Sequence, residues 1–524
     1  MALGRPSLAV PILRASGTTS ILRACGTTSM LRACGTTSIL RAVGVTVLVA
    51  TTACAGTAKG HLARRAPADY AALAASAVGV LEHKYYAGAG LWNMCLPARC
   101  DRKNFDWGAD SLTYSLAFHW QLTHDRRVVP LMRALARTAA RYGPTGYSWS
   151  DVPEWDAIAD VREYQVTASP AALANAKAAV AAVGEVPGFA SGACPVIDYQ
   201  RPGGEVNHLK TLETGSNYIK AAVLLYQVTH TASYLAAAER KYAEVRAYFA
   251  QGSLYTVYVF DDGGRCMQLP GQFFASVNGN MIWSGAELTA LTGRPGYRIE
   301  AIATARAVAR RLGDAAGVFA DLQAENDVVE PLIEAMYLLA TTDHQRFARH
   351  WLLRAASAAA SDRTSLGTYG RFFDGPPPGA PVTAWQANGG ISLMIAAAGL
   401  DPAGRPANPG FWRRAAFVPD NRRLTPGGSV KIHLTGRAIA IIGTIGERCC
   451  EPGHASVRID GRSLFDRIGV WQNKSSSGLS LARSVLFAWR WPRPGKHVIT
   501  ILPAAVNPKQ GGTFFHMTGY LLVR

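Results

Sequence analysis

Within Tyr147-Ser148-Trp149-Ser150-Asp151-Val152-Pro153-Glu154-Trp155-Asp156 the chain sets three carboxylates among two tryptophans. Acids clustered beside flat aromatic faces suit sugar chemistry. A glycosidase needs one carboxyl as acid/base and another as nucleophile or base, and indole rings stack on the apolar faces of pyranoses. The same residues also suit a helix start. Asp151 with Glu154 fits a capping box, Pro153 is at home in a first turn, and acids there favour the helix dipole. In the catalytic reading Asp151 is the first carboxylate. Glu154 lies one helical turn on and shares its face, whereas Asp156 is rotated away. Glu154 is therefore the expected partner, ahead of Asp156 and of acids from other loops, namely Asp106, Asp110, Glu213 and Asp327. The two carboxyls are expected about 5–5.5 Å apart for a retaining reaction, or about 6.5–9.5 Å for an inverting one.

Helices must position these groups. Apolar residues recur at helical spacing in runs at about 69–86, 109–123, 129–142, 154–167, 170–183, 210–229, 232–250, 278–292, 297–311, 326–341, 345–361 and 383–398. Twelve runs make six hairpins. Thr123, Thr167, Thr229, Thr292 and Thr341 each close one run before a short polar turn, at intervals of 44, 62, 63 and 49 residues. Such uneven spacing disfavours a solenoid. An (α/α)6 toroid over residues 69–400 fits, with alternate helices as the inner ring and inner starts near 109, 154, 212, 278, 326 and 383 on one face. The entering loops carry Asp106, Trp107 and Asp110; Trp149, Trp155 and Asp156; Lys210 and Glu213; Asn278 and Asn280; Asp327; and Trp385 with Asn388. Asn and Asp also cap helices, but their recurrence with tryptophan at successive starts predicts a substrate-binding cleft built from these residues.

Tyr255–Leu269 alternates β-formers around Asp262-Gly263 and reads as a hairpin, so Asp261-Asp262 is turn chemistry. Residues 401–414, rich in Pro, Gly and Asn, form a linker. The period then becomes two, with strand runs at 429–434, 437–444, 455–460, 485–491, 496–502 and 515–523 and a turn at Asp460-Gly461. This predicts a small β-sandwich over 415–524, carbohydrate-binding-like, in which Trp471, Trp489 and Trp491 line a sugar surface or fill the core.

The chain of 524 residues is 49% hydrophobic and 17% charged, which requires a large core and excludes general disorder. A net charge of +18 favours anionic neighbours such as the cell-envelope surface. Without a basic tract interleaved with aromatics, nucleic acid is not expected as a partner. Residues 1–53 hold five arginines and no acid, in nine-residue repeats (Ile12–Ser20, Ile21–Ser29, Met30–Ser38) that run into apolar Val43–Ala53. Basic, apolar, then small residues is the order of an export signal, followed by a linker over 54–68. Thr51-Thr52-Ala53-Cys54 also resembles a lipoprotein cleavage box, with Cys54 as the lipidated residue. The expected product is secreted, or a surface lipoprotein, and monomeric. Of the six later cysteines, Cys95 and Cys100 close a short loop and are the first pair expected to form a disulfide. No cofactor is implied. A metal site at Cys95-x4-Cys100 lacks further ligands at the required spacing.

Three segments resemble glycoside hydrolase family 76, the bacterial endo-α-1,6-mannanases, over roughly residues 69–398. Trp149–Trp155 resembles the family's Trp-x-Asp-Asp-x-x-Trp, and Lys210–Thr214 its Lys-Asn-x-x-Thr. Gly263–Cys266 with Ser276–Gly279 resembles its Asp-Gly…Cys…Tyr-Asn-Gln-Gly block. The resemblance implies the toroid, a sugar cleft, and a retaining mechanism run by two adjacent aspartates. Asp151 matches the first aspartate, but Val152 stands at the second, and Thr211 and Gly215 replace asparagines. Either Glu154 or Asp156 supplies the missing group, or the cleft binds without cutting. The expected function is thus an exported hydrolase of an α-mannan-like polysaccharide. The alternatives are an inactive surface glycan-binding protein, or a uronyl hydrolase or lyase on acidic glycans using His119, His124 or His208.

Overall fold

The computed structural model describes residues 68–524 except 90, 94, 98–101, 104–106, 143–148, 185–191, 201–207, 263, 270–272, 321–327, 362, 371, 380–381, 408–409, 426, 446–454, 469–480 and 504–514. The expectations placed on residues 1–67, Cys100, Asp106, Asp327 and Trp471 lie outside the described residues.

The described residues form twelve α-helices: α1 (Tyr70–Val80), α2 (Trp107–Thr123), α3 (Val128–Tyr142), α4 (Asp151–Thr167), α5 (Pro170–Gly184), α6 (Leu212–Thr229), α7 (Ala232–Phe249), α8 (Ala275–Thr292), α9 (Pro295–Arg311), α10 (Glu330–Thr341), α11 (Arg346–Ser361) and α12 (Ala384–Leu400). The even-numbered helices pack side by side in a closed ring, and each odd-numbered helix covers a neighbour from outside, with α1 closing on α12. The ring's inner members are enclosed. All residues from Val152 to Glu163 are buried in α4, as are Leu212–Leu225 in α6.

Contacts one or two turns into each inner helix bring all six starts to one end. Asn388 Nδ2 donates to Ser111 O at 2.8 Å, and the Tyr114 and Trp155 rings meet edge-on at 5.9 Å. Asn280 Nδ2 donates to Asn217 Oδ1 at 2.7 Å. Gly279 lies so close to α10 that a Cβ there would stand 2.6 Å from Leu332 Cα, and one on Gly389 would strike Val329. The charge of Glu154 reaches Tyr218 across the α4–α6 contact.

The recurrent threonines finish the opposite end. Thr123, Thr167, Thr229, Thr292 and Thr341 each donate their hydroxyl to the carbonyl four residues back, at 2.6–2.9 Å. In the first four, the same oxygen accepts the N–H two residues on, at 3.2–3.3 Å. Between them His124, Ala168, His230 and Gly293 turn left-handed, with φ of 53–71°, as helix C-caps do. One capping device is thus repeated on α2, α4, α6 and α8.

After α12 the linker folds back, with Tyr70 N donating to Gly404 O at 2.9 Å. Six antiparallel strands follow: β1 (Ala416–Leu424), β2 (Val430–Ile445), β3 (Ala455–Ile459), β4 (Arg462–Ile468), β5 (Leu481–Pro503) and β6 (Phe515–Val523), in the order β1-β6-β2-β5-β3-β4. They form one hydrogen-bonded sheet. The runs expected to be separate at 429–434 and 437–444 are a single strand with a bulge between Gly436 and Ala438, and 485–502 is likewise continuous. The Asp460-Gly461 turn joins β3 to β4, with both residues left-handed. The sheet and the toroid are locked by Arg490 Nη1, which donates to Asp374 at 2.8 Å, and by Trp412 Nε1, which donates to Asp374 O at 3.0 Å.

The tight approach of Gly279 gives a test of the ring. Gly279→Ala is expected to lower stability by ~1–3 kcal/mol through overpacking against α10, read as a lower urea midpoint at unchanged slope.

Candidate active site

The capping box expected at the start of α4 is absent. The helix begins at Asp151 itself, and Ser150, in the cap position, makes no side-chain cap bond. Glu154 does not reach back to the backbone. It is fully buried, and neither carboxylate oxygen has a hydrogen-bond partner among the described residues. The backbone N–H groups of Asp151 and Val152 lower the Asp151 carboxyl, and Glu154 N–H does not bond it. The Glu154 carboxyl therefore stands where capping does not explain it.

Their electrostatics follow from enclosure. Burial pushes Asp151 up to about 6, against the pull of the two backbone N–H groups. Burial raises Glu154 well above the usual carboxylate range, the charge of Asp151 adds to this, and Lys241 opposes it. Both carboxyls are thus shifted toward the protonated form, Asp151 by burial and Glu154 by burial and by the charge of Asp151. Asp156 does not join the pair; its charge is felt by Asp160, whose carboxyl is also raised, mainly by burial.

Beside Asp151, Trp149 is 38% exposed, an unusual state for an indole. Its ring packs on Tyr199 at 4.7 Å, a neighbour that no motif singles out. Trp149 bridges to Gln200, and Ser150 N donates to Tyr199 O at 3.0 Å, so the 194–200 segment fixes how the chain enters α4. A disulfide between Cys194 and Cys266, with Cα atoms 5.0 Å apart, ties that segment to the 258–268 hairpin. In this hairpin Asp262 accepts from Gly264 N and Arg265 N, as turn chemistry requires, while Asp261 accepts from Cys194 N at 3.1 Å. Cys95 is disulfide-bonded too.

Several residues expected to line the cleft are instead buried with protein partners, which corrects their role. Trp155 is 3% exposed and packs on Tyr114. Lys210 is fully buried against Asp198, an ion pair no motif announced. Its ammonium is pushed down by burial and supported by Asp261. Asn278 clamps the N–H and carbonyl of Tyr255 at 3.0 Å each and the Phe274 carbonyl at 2.9 Å. Asn388 bonds Ser111 and Ser115, and Asn280 bonds Asn217. Each lies a turn or more inside the ring, where an amide must find a partner. Asp110, Asp156 and Glu213 are buried or nearly so, close to the same helix starts. Trp107 and Trp385 stand in the first turns of α2 and α12, where only the backbone is described. His119 and His124 sit at the other end of α2, His119 against Asp125 at 3.3 Å, so they are not neighbours of Asp151.

Neither protein-family models nor curated protein sequences give a match. Solved structures do. An α-1,6-mannanase, GH76A of Salegentibacter sp., is similar at 18% identity and a TM-score of 0.56, over 64% of this chain and all of that one. Its inactive form, with two adjacent aspartates replaced, holds α-1,6-mannotetrose. A GH76 α-mannanase of Bacteroides thetaiotaomicron is similar at 17% identity and a TM-score of 0.54, over 64% of this chain and 96% of its own. A family 76 glycoside hydrolase (mannosidase) from the same organism matches at 14% identity and a TM-score of 0.53, over 63% and 98%. These likenesses show the shared toroidal fold.

A buried, unpartnered acid costs stability at neutral pH. Its raised carboxyl makes folding tightest below about pH 4, and that advantage is lost as pH rises toward the folded value. Glu154→Gln is expected to be more stable than the parent at pH 7 by ~1–3 kcal/mol, with the gap closing toward pH 4. Thermal melts across this range check it.

Proposed function

We propose that the chain is an exported glycoside hydrolase acting on an α-mannan-like polysaccharide, with Asp151 and Glu154 as its two carboxyls. The observation that carries this reading is the unpartnered carboxyl of Glu154, one turn from Asp151 at an inner-helix start, beside the exposed face of Trp149. The likeness to toroidal mannanases supports the substrate class.

In this reading a mannose ring stacks on Trp149, with Tyr199 behind it. Asp151, ionised above about 6, meets the anomeric centre, and Glu154 keeps the proton that the leaving oxygen requires. Trp107 and Trp385, at the starts of α2 and α12, are read as further sugar contacts, while Asp110, Asp156 and Glu213 are buried near the same helix starts. Lys210, Asn278, Asn280 and Asn388 position the helix starts from behind. The sheet domain is read as a sandwich-type carbohydrate-binding module. The N-terminal segment is read as an export signal, cleaved near Cys54 with or without lipidation, which the mass of the mature N-terminus decides.

A second reading has support of its own. Val152 is a buried apolar residue next to Asp151, and Glu154 is wholly shielded from water, as suits a cleft that binds glycan without cutting it. Incubation with α-1,6-mannooligosaccharides and a reducing-end assay separates the two. Hydrolysis is expected to rise with pH through about 6 as Asp151 ionises, and to fall once Glu154 loses its proton. Asp151→Asn is expected to lower kcat by about 10²–10⁴ while leaving oligosaccharide binding intact. Binding without turnover by the parent protein supports the second reading and defeats the first.

A further inference from the structure

Where the toroid meets the sheet domain lies a cavity of about 550 Å³, lined by Tyr70 of α1, Arg354 and Ser357 of α11, Asp401 and Arg405 of the linker, and Arg437 and Arg490 of the sheet, with Asp374 at its edge. Arg490 is engaged by Asp374 at 2.8 Å. The other three guanidinium groups are not. Arg354 reaches only the carbonyl of Ala316, at 3.4 Å, and among the described residues no carboxylate pairs with Arg405 or Arg437. Arg437 and Arg490 share one aromatic face, their guanidinium carbons 5.7 and 3.8 Å from the centre of the Phe411 ring. The Nε–H of each is buried without an acceptor. Like charges held together with unmet donors are costly unless something acidic joins them.

We propose that this cavity binds an acidic glycan, one whose units carry phosphate or carboxylate groups, across the seam between toroid and sheet. Guanidinium groups take oxyanions as paired hydrogen bonds, and three of them here await one. Asp401 in the same lining, an acceptor only, calls for a ligand that also donates. A sugar hydroxyl does so, and a bare inorganic anion does not. The net charge of +18 draws such a polymer from a distance. None of the lining residues belongs to the Trp149–Asp156 stretch, so the site stands whether or not the cleft hydrolyses anything.

Calorimetric titration of the full chain with hexagalacturonate, a glycerol-phosphate oligomer and neutral mannohexaose tests it, at about 50 and about 300 mM salt. At least one acidic probe is expected to bind the parent protein, more weakly at the higher salt. Which one binds tells carboxylate from phosphate. Arg405→Gln combined with Arg437→Gln should weaken that binding by about tenfold or more, with mannohexaose binding unchanged. The pair Arg354→Gln and Arg405→Gln, both on the exposed rim, should do the same, and decides the matter should the Arg437 variant fail to fold. The proposal falls if the parent binds neither acidic probe, or if the rim variant binds them as the parent does. It also falls if a DNA oligomer of equal charge binds as tightly, since that marks a general polyanion surface.

Discussion

A helix enclosed on every side has no face to give to water, and α4 carries Glu154, Asp156, Asp160, Arg162 and Glu163 in that position. The toroid solves most of this by pairing. Arg162 of α4 and Lys220 of α6, both fully buried, converge on Glu334 of α10, the lysine at 2.6 Å. Burial alone would raise Glu334, but the two cations outweigh it and hold its carboxyl below the usual value. Burial brings Lys220 down to about 8, against the pull of Glu334. The Tyr114 ring lies under both cations, 4.7 Å from the guanidinium of Arg162 and 4.5 Å from the ammonium of Lys220, and Trp283 faces Lys220 at 4.8 Å. Five inner helices, α2, α4, α6, α8 and α10, are thereby tied across the axis. Such a cluster adds less stability than its contacts suggest, because each ion gives up its hydration. Taking away one partner, however, leaves a bare buried charge at a cost of about 3–5 kcal/mol. The ring is committed to its register by this centre.

Against that background the exceptions stand out. At mid-depth Arg162 and Lys220 share Glu334, although Arg162 Nε and Asp160 Oδ1 stay without an acceptor or donor, and at the end where the helices start a whole carboxyl is left over. Glu154 has no partner there and Asp151 only backbone donors. A fold that neutralises Arg162, Lys220 and Lys210 so thoroughly has the means to neutralise Glu154 as well. Leaving it protonated and strained is the kind of local inconsistency that functional sites carry at the expense of stability.

The sequence made the helices and their ends legible, for distinct physical reasons. Period 3.6 survives because the outer helices still have a wet face. The threonines at 123, 167, 229, 292 and 341 form a visible series because one bond, hydroxyl to the carbonyl four back, ends each of these helices. What was not legible depended on depth. Lys210, Asn278 and Asn388 have the residue types of a sugar site, and only their burial shows that they hold backbone and neighbouring helices in place. Asp198 and Tyr199, which do face Lys210 and Trp149, follow a stretch with no periodic signal. In the sheet, β1 escaped notice because it is an edge strand, largely exposed, with Pro419, Asp420 and Asn421 along it, as edges are built to be.

Helix geometry also distinguishes the proposed pair, Asp151 and Glu154, from a pair of adjacent aspartates. Neighbouring residues on a helix point about 100° apart, so two adjacent aspartates at a helix start address a substrate from different directions. Residues three apart differ by only about 60°, and their side chains stack along the axis. In the proposed active site the second carboxyl is therefore not simply moved; it is placed behind the first, deeper in the ring. That arrangement strengthens the coupling between them, since the buried member lies in the medium of lower dielectric and feels Asp151 through it. It also makes the proton on Glu154 harder to lose and harder for a substrate to reach. An acid so placed needs Asp151 or a bound sugar hydroxyl as its route outward.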